Sequence, residues 1–122
     1  VTGARPLLRR GHIVLVDLDP PVGSEAAKTR PAVIVGNNTA NSVASRSERG
    51  VITVVPLTSN TGRVHEVRVL VTARESGLPR DSKAQAEQVR TVAVSRISGV
   101  VGWLGAEQMG AIDDALRLHL AL

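Results

Sequence analysis

Short apolar segments separated by turn-forming residues set the pattern of this chain. His12 to Leu18 is a near-continuous Val- and Ile-rich run, too short for a globular helix and therefore read as a strand. Ala32 to Gly36 and Val51 to Pro56 repeat the pattern. Over Glu66 to Thr72 the residues alternate, with Val67, Val69 and Val71 on one face and Glu66, Arg68 and Leu70 on the other. Ser82 to Val89 makes a weaker strand, because its apolar residues are mostly alanine, and Val100 to Leu104 a last short one. Turn clusters lie between them: Asp19 to Arg30 with Pro20, Pro21 and Gly23, then Thr58 to Gly62 and Glu75 to Asp81. The polar stretch Asn37 to Gly50 has room for a short helical turn. At the end the period changes. Met109, Ile112, Leu116 and Leu120 form one apolar helical stripe, with Glu107 near its start and Arg117 and His119 near its end, as the helix dipole prefers. Short strands with one terminal amphipathic helix predict a mainly β fold with α, a small, partly open antiparallel barrel carrying a C-terminal helix. Residues 1–10, with Arg5, Pro6, Arg9 and Arg10, are expected to be a flexible lead-in, and residues 11–122 a single domain.

Composition narrows the chemistry. No apolar run approaches the roughly 20 residues of a membrane-spanning helix, and the arginines at the N-terminus precede no signal-peptide core, so a cytoplasmic protein is expected. With no cysteine, a disulfide framework and a thiolate zinc site are excluded. His12, His65 and His119 show no metal-ligand spacing. The formal net charge is +4 and nearly all the positive charge is arginine, the only lysines being Lys28 and Lys83. Guanidinium groups bind phosphate in a bidentate way, which suits a polyanionic partner. Trp103 is the one aromatic ring, so RNA binding through a platform of stacked aromatics is unavailable.

The usual catalytic signatures are missing. There is no G-x-S-x-G elbow, no phosphate-binding G-x-x-x-x-G-K-[ST] loop, and no carboxylate pair beyond Asp17 and Asp19 on one strand face. Two features remain. Arg30-Pro31 enters a strand after a long loop, and proline holds the preceding residue extended, so Arg30 stands at a strand mouth. Thr58-Ser59 follows another strand, where two hydroxyls can donate to phosphate oxygens or simply form the loop turn.

Taken in order, Arg9 to Pro20 (RRGHIVLVDLDP), Gly23-Ser24-Glu25, Arg30-Pro31-Ala32-Val33, Pro56-Leu57-Thr58-Ser59, Glu87-Gln88-Val89-Arg90-Thr91 and Arg96-Ile97 resemble the MazF/PemK-like family of toxin ribonucleases. The resemblance spans nearly the whole chain from Arg9. It implies an SH3-like barrel of five to six strands with a C-terminal helix, assembled as a homodimer. It also implies sequence-specific cleavage of single-stranded RNA, in which the 2′-hydroxyl attacks the adjacent phosphorus to leave a cyclic phosphate and a free 5′-hydroxyl. A MazE-like antitoxin with an acidic, flexible tail is the implied protein partner. Arg30 matches the family's essential arginine, Thr58 its motif threonine, Glu25 a carboxylate proposed to assist, and Gln88 a position near the RNA path. His12 stands where the family often carries an acidic residue, and Leu15 where tryptophan or tyrosine is common.

The residue types suit that reaction. Negative charge grows on the equatorial oxygens of the phosphorane-like transition state, where a fixed guanidinium and a hydroxyl donor stabilise it. Arginine is a poor general acid, so Arg30 acts first electrostatically, and Glu25 is the candidate base for the 2′-hydroxyl proton. The nucleophile belongs to the substrate, so no metal or cofactor is called for. The RNA groove is expected to be lined by Arg30, Thr58, Ser59 and Gln88, with Lys28, Arg63, Arg90 and Arg46 as further contacts. Two rivals stand beside this reading: a contact inhibitor of a protein target such as gyrase, on the same barrel as in the CcdB family, and a nonspecific basic RNA-binding module.

Overall fold

The computed structural model describes residues 7–18, 22–23, 28–47, 49–61 and 68–122. Among them, seven strands and three helices follow one another: β1 (His12–Asp17), β2 (Thr29–Ile34), α1 (Asn38–Ser45), β3 (Val51–Thr58), β4 (Arg68–Val71), α2 (Ala73–Ser76), β5 (Ser82–Gln85), β6 (Arg90–Ala93), β7 (Ile97–Trp103) and α3 (Ala106–Leu120). The strands pair antiparallel in the order β4-β5-β3-β2-β1-β7, with β6 also on β3. The sheet does not close, in keeping with a partly open barrel carrying a C-terminal helix.

Alternation along each strand gives the sheet two apolar faces. One buries Val14, Val16, Ala32, Ile34, Ile52, Val54 and Val92 with Leu8 and Ala44 of α1. The other buries Ile13, Val33, Val55, Leu57, Val71 and Ala84 beneath Leu78 and, from α3, Met109 and Ile112. Covering on both sides explains why the first strands read as continuous apolar runs instead of alternating ones. Pro56 is tolerated in the middle of β3 because the strand changes neighbours there. Its last pair with β6 is Val54–Arg90 and its first with β5 is Leu57–Ala84, so a missing N–H breaks no ladder.

Several expectations are refined. The polar stretch after Gly36 holds a full two-turn helix, α1, because the Asn37 side chain caps it by accepting from the Ala40 N–H at 2.8 Å. Beside the Glu75–Asp81 loop lies the single turn α2, capped by Thr72 and ended by Gly77 at φ 79°. β6 was not expected, and Ser82–Val89 is a strand only to Gln85 before a 3₁₀ turn over Ala86–Gln88. The helical stripe is shorter than its periodicity suggests: Ile112 is fully buried but Leu120 lies beyond the sheet and is 49% exposed. Residues 7–10, expected within a flexible lead-in, are tied down. Leu8 is buried, its N–H donates to Ser45 Oγ at 2.9 Å, and Arg10 donates to the Val35 carbonyl and pairs with Asp113 of α3. Residues 1–6 lie outside the described ones.

Candidate nucleic-acid interface

The candidate residues gather where β2 begins and β3 ends. The Leu18 N–H donates to the Lys28 carbonyl at 3.0 Å, closing the neck of the loop between them. Lys28 adopts φ 68°, a left-handed conformation uncommon for a side-chain-bearing residue. The chain thus turns sharply into β2, and Arg30 stands at its mouth, half-buried, as the proline after it predicts.

Strand register decides which side chains share a face. Val16 pairs with Arg30, Ala32 with Pro56, and Thr58 with Lys83. The β2–β3 ladder ends at Ala32–Pro56, and Arg30 and Thr58 each lie two residues farther along their strands, on the same face as that pair. Val54 pairs with Arg90, which therefore projects from the same face. Arg30 and Thr58, singled out in the sequence, thus lie on the face that buries Val16, Ile34 and Val54, at the ends of neighbouring strands; Arg90 shares that face but sits opposite Val54, four residues before Thr58 along β3. Thr58 is half-buried, and its Oγ1 accepts the Asn60 N–H at 3.3 Å, so it forms the loop turn and still has a hydroxyl proton to donate.

Ser59 looks the other way. It lines a cavity of about 250 Å³ with Thr29, Arg30, Pro31, Leu57, Leu78 and Arg80, on the face that carries α3. Arg30 thus borders the cavity that Ser59 lines, whereas Thr58 does not. Thr29 also borders a second cleft, of about 520 Å³, walled by Asp17, Ser95, Arg96 and Ser98, where Arg96 donates to the Asp17 carbonyl at 3.0 Å. The two clefts meet at the start of β2, flanked by Arg30, Arg80 and Arg96. Gln88 ends the 3₁₀ turn after β5 and is half-buried. Arg46 is exposed at the end of α1, on the far side of β3 from these residues' strand ends. Glu25 and Arg63 lie outside the described residues.

Two basic residues of this region were not anticipated. Arg80 stood in a segment read only as a loop. Lys83, one of the two lysines, carries no motif in the sequence, yet here it is 1% exposed, which is rare for a lysine. Next to it Arg68 grips Glu87, with Nη2 and Nε at 2.7 and 2.9 Å from Oε2. Burial, and after it the charge of Arg68, push the Lys83 pKa below its ordinary value, with Glu87 opposing. His12 sits at the opposite end of β1 from the Val16–Arg30 pair, across from Trp103. Its Nδ1 accepts the Arg9 N–H at 3.2 Å, and burial, then the Arg9 charge, push its pKa below 6.5. Leu15 is half-buried between Pro31 and Gly99. Among the described residues no helix is long and apolar enough to cross a membrane.

An open antiparallel sheet with a C-terminal helix, and an arginine and a threonine sharing one face at adjacent strand ends, define a class. The profile of PemK-like, MazF-like toxins of type II toxin–antitoxin systems matches residues 9–120, and the chain belongs to that family. It is 51% identical over 116 residues to the endoribonuclease MazF9 of Mycobacterium tuberculosis, covering 95% of this chain and 98% of that protein. Among solved structures, MazF from Deinococcus radiodurans superposes with a TM-score of 0.79 at 20% identity, over 96% of this chain and 99% of that one. An endoribonuclease in complex with its cognate antitoxin, from a mycobacterial species, superposes with a TM-score of 0.73 at 22% identity, over 94% and 96% of the two chains.

Proposed function

We propose that this chain is the toxin of a toxin–antitoxin pair, an endoribonuclease that cuts single-stranded RNA at particular sequences without a metal. The reading is supported by the 51% identity, along nearly the whole length of the chain, to a protein named as an endoribonuclease, and by the placement of Arg30 and Thr58 on one sheet face at neighbouring strand ends. The same relationship leaves the contact-inhibitor reading without support.

The chemistry follows from the groups. The 2′-oxygen of the substrate attacks the neighbouring phosphorus, and the P–O5′ bond breaks to give a 2′,3′-cyclic phosphate and a 5′-hydroxyl. Glu25 takes the 2′-hydroxyl proton, and the departing 5′-oxygen takes a proton from water to become the 5′-hydroxyl. The Arg30 guanidinium and the Thr58 hydroxyl meet the charge that grows on the non-bridging oxygens, which raises kcat more than it tightens ground-state binding. Ser59, Gln88, Lys28, Arg63 and Arg90 hold the flanking phosphates and bases. The active form is a homodimer, and a MazE-like antitoxin occupies the RNA groove with an acidic, flexible tail complementary to these cations.

The test is a single-stranded RNA in which each candidate scissile nucleotide in turn carries 2′-deoxyribose. Protection confined to the cut nucleotide is expected, because the nucleophile has been removed. Cleavage at a 2′-deoxy position would exclude the mechanism.

A further inference from the structure

Lys83 lies on β5 directly across from Thr58, and across from Leu70 on its other side. Its side chain therefore projects from the same face as Thr58, one strand spacing of about 4.8 Å away, with Arg30 on the far side of Thr58. Arg90 projects from this face as well. Thr58 thus has the Lys83 cation of β5 directly beside it, with Arg30 near the end of β2 and Arg90 farther along the same face.

Nothing in the local packing calls for a lysine. Its neighbours along β5, Ser82 and Ala84, are small and buried, and the residue opposite on β4 is Leu70. An aliphatic side chain would fill the position without the penalty of desolvating a charge. Nor is the ammonium well compensated among the described residues. The Glu87 carboxylate that attracts it is already held by Arg68, whose own charge opposes the ammonium. Among the described residues Gln85 Oε1 and Glu87 Oε1 are buried without hydrogen-bond partners, so the cluster is incompletely satisfied there, unlike polar networks retained for stability. The charge becomes favourable when a polyanion settles over this face.

We propose that Lys83 is a positioning residue of the RNA-cleaving site, its buried ammonium setting the field in which Thr58 meets the scissile phosphate; this rests on the endoribonuclease reading above. Lys83 acts through Thr58 from the neighbouring strand, because at 1% exposure it does not itself form the groove wall. Its charge matters most when negative charge is greatest, at the transition state, so its removal lowers kcat and leaves KM largely in place.

The experiment compares the full chain with Lys83→Met and Lys83→Arg on a single-stranded RNA that the wild type cuts, with thermal melting alongside. For Lys83→Met, kcat is expected to fall ~10- to 100-fold with KM changed less than about threefold, at an unchanged or higher melting temperature. Lys83→Arg, which keeps the charge, recovers part of the lost kcat. A Lys83→Met protein with wild-type kcat overturns the proposal, and so does one that fails to fold or loses stability while retaining kcat per folded molecule, because Lys83 would then serve the fold. Failure of the wild type to cut any RNA would instead overturn the endoribonuclease reading itself.

Discussion

Gly50 marks the closest approach between α1 and the sheet, and replacing it with alanine measures how tightly that helix seals the core. A Cβ at Gly50 would lie 2.5 Å from Ala44 Cα, 2.8 Å from its Cβ and 3.2 Å from its carbonyl oxygen. Ordinary contact begins near 3.4 Å, so the helix and strand must part by about 0.9 Å. The obstruction is backbone, which no rotamer change relieves. Ala44 is 2% exposed and belongs to the same core as Ile52 and Val54, so parting the elements opens that core. Ser45 and Asn38 of α1 also accept the N–H groups of Leu8 and Arg10, which the shift loosens. Strain of this kind typically amounts to about 1–3 kcal/mol. For a domain of this size that lowers the melting temperature by roughly 3–12 °C. Gly99→Ala is the matched control, since a Cβ there meets nothing within 4 Å. Differential scanning calorimetry of both variants is the assay. Because α1 packs away from the Arg30–Thr58 end of the sheet, cleavage per folded molecule should be unchanged in each. A Gly50→Ala protein that melts with the wild type would refute the packing argument, and one that folds normally but loses cleavage would refute the placement of the site.

Three further outcomes are expected. Gly110, in the interior of α3, has open space at its Cβ, so Gly110→Ala should stabilise the protein by about 1 kcal/mol, read as a higher denaturation midpoint; a lower one would count against the helix assignment. Ile112 is fully buried beneath the sheet, and Ile112→Ala should cost about 2–5 kcal/mol by urea titration, whereas Leu120→Ala, at an exposed position, should cost far less. The depressed pKa of His12 means the fold favours the neutral ring, so its contribution is complete above pH 6.5 and is lost as pH falls through the folded value. Melting temperatures between about pH 7.5 and about pH 5 should therefore decline less steeply in His12→Gln than in the wild type. Parallel curves would remove His12 from the account.

The apolar pattern carried much of the architecture, and the reasons for its failures are physical. β1, β2 and β3 were legible because both faces of the sheet are covered, which makes their runs nearly continuous. β6 was not, since Arg90–Ala93 has only four residues and owes its pairing to the 3₁₀ turn that delivers it alongside β3. Periodicity marked Leu120 as core, but a helical stripe says nothing about where the sheet beneath it ends. At the site, Pro31 signalled an extended Arg30, and the pairing of β2 with β3 brought it to Thr58. Which face each hydroxyl served depended on register, which no local pattern reveals, and so Ser59 separated from Thr58. Lys83 was invisible because its burial depends on three strands meeting, while its sequence neighbours are small and uninformative.

The central claim is that Arg30 and Thr58 form an RNA-cleaving site. The measurement that tests it most directly is incubation of a mixed-sequence single-stranded RNA with the purified chain and with Arg30→Ala, in excess chelator, with fragment ends read by mass spectrometry. The account predicts discrete cuts bearing 2′,3′-cyclic phosphate and 5′-hydroxyl ends, reduced at least ~100-fold in the folded mutant. Intact RNA with well-folded wild-type protein, or undiminished cutting by Arg30→Ala, would contradict it.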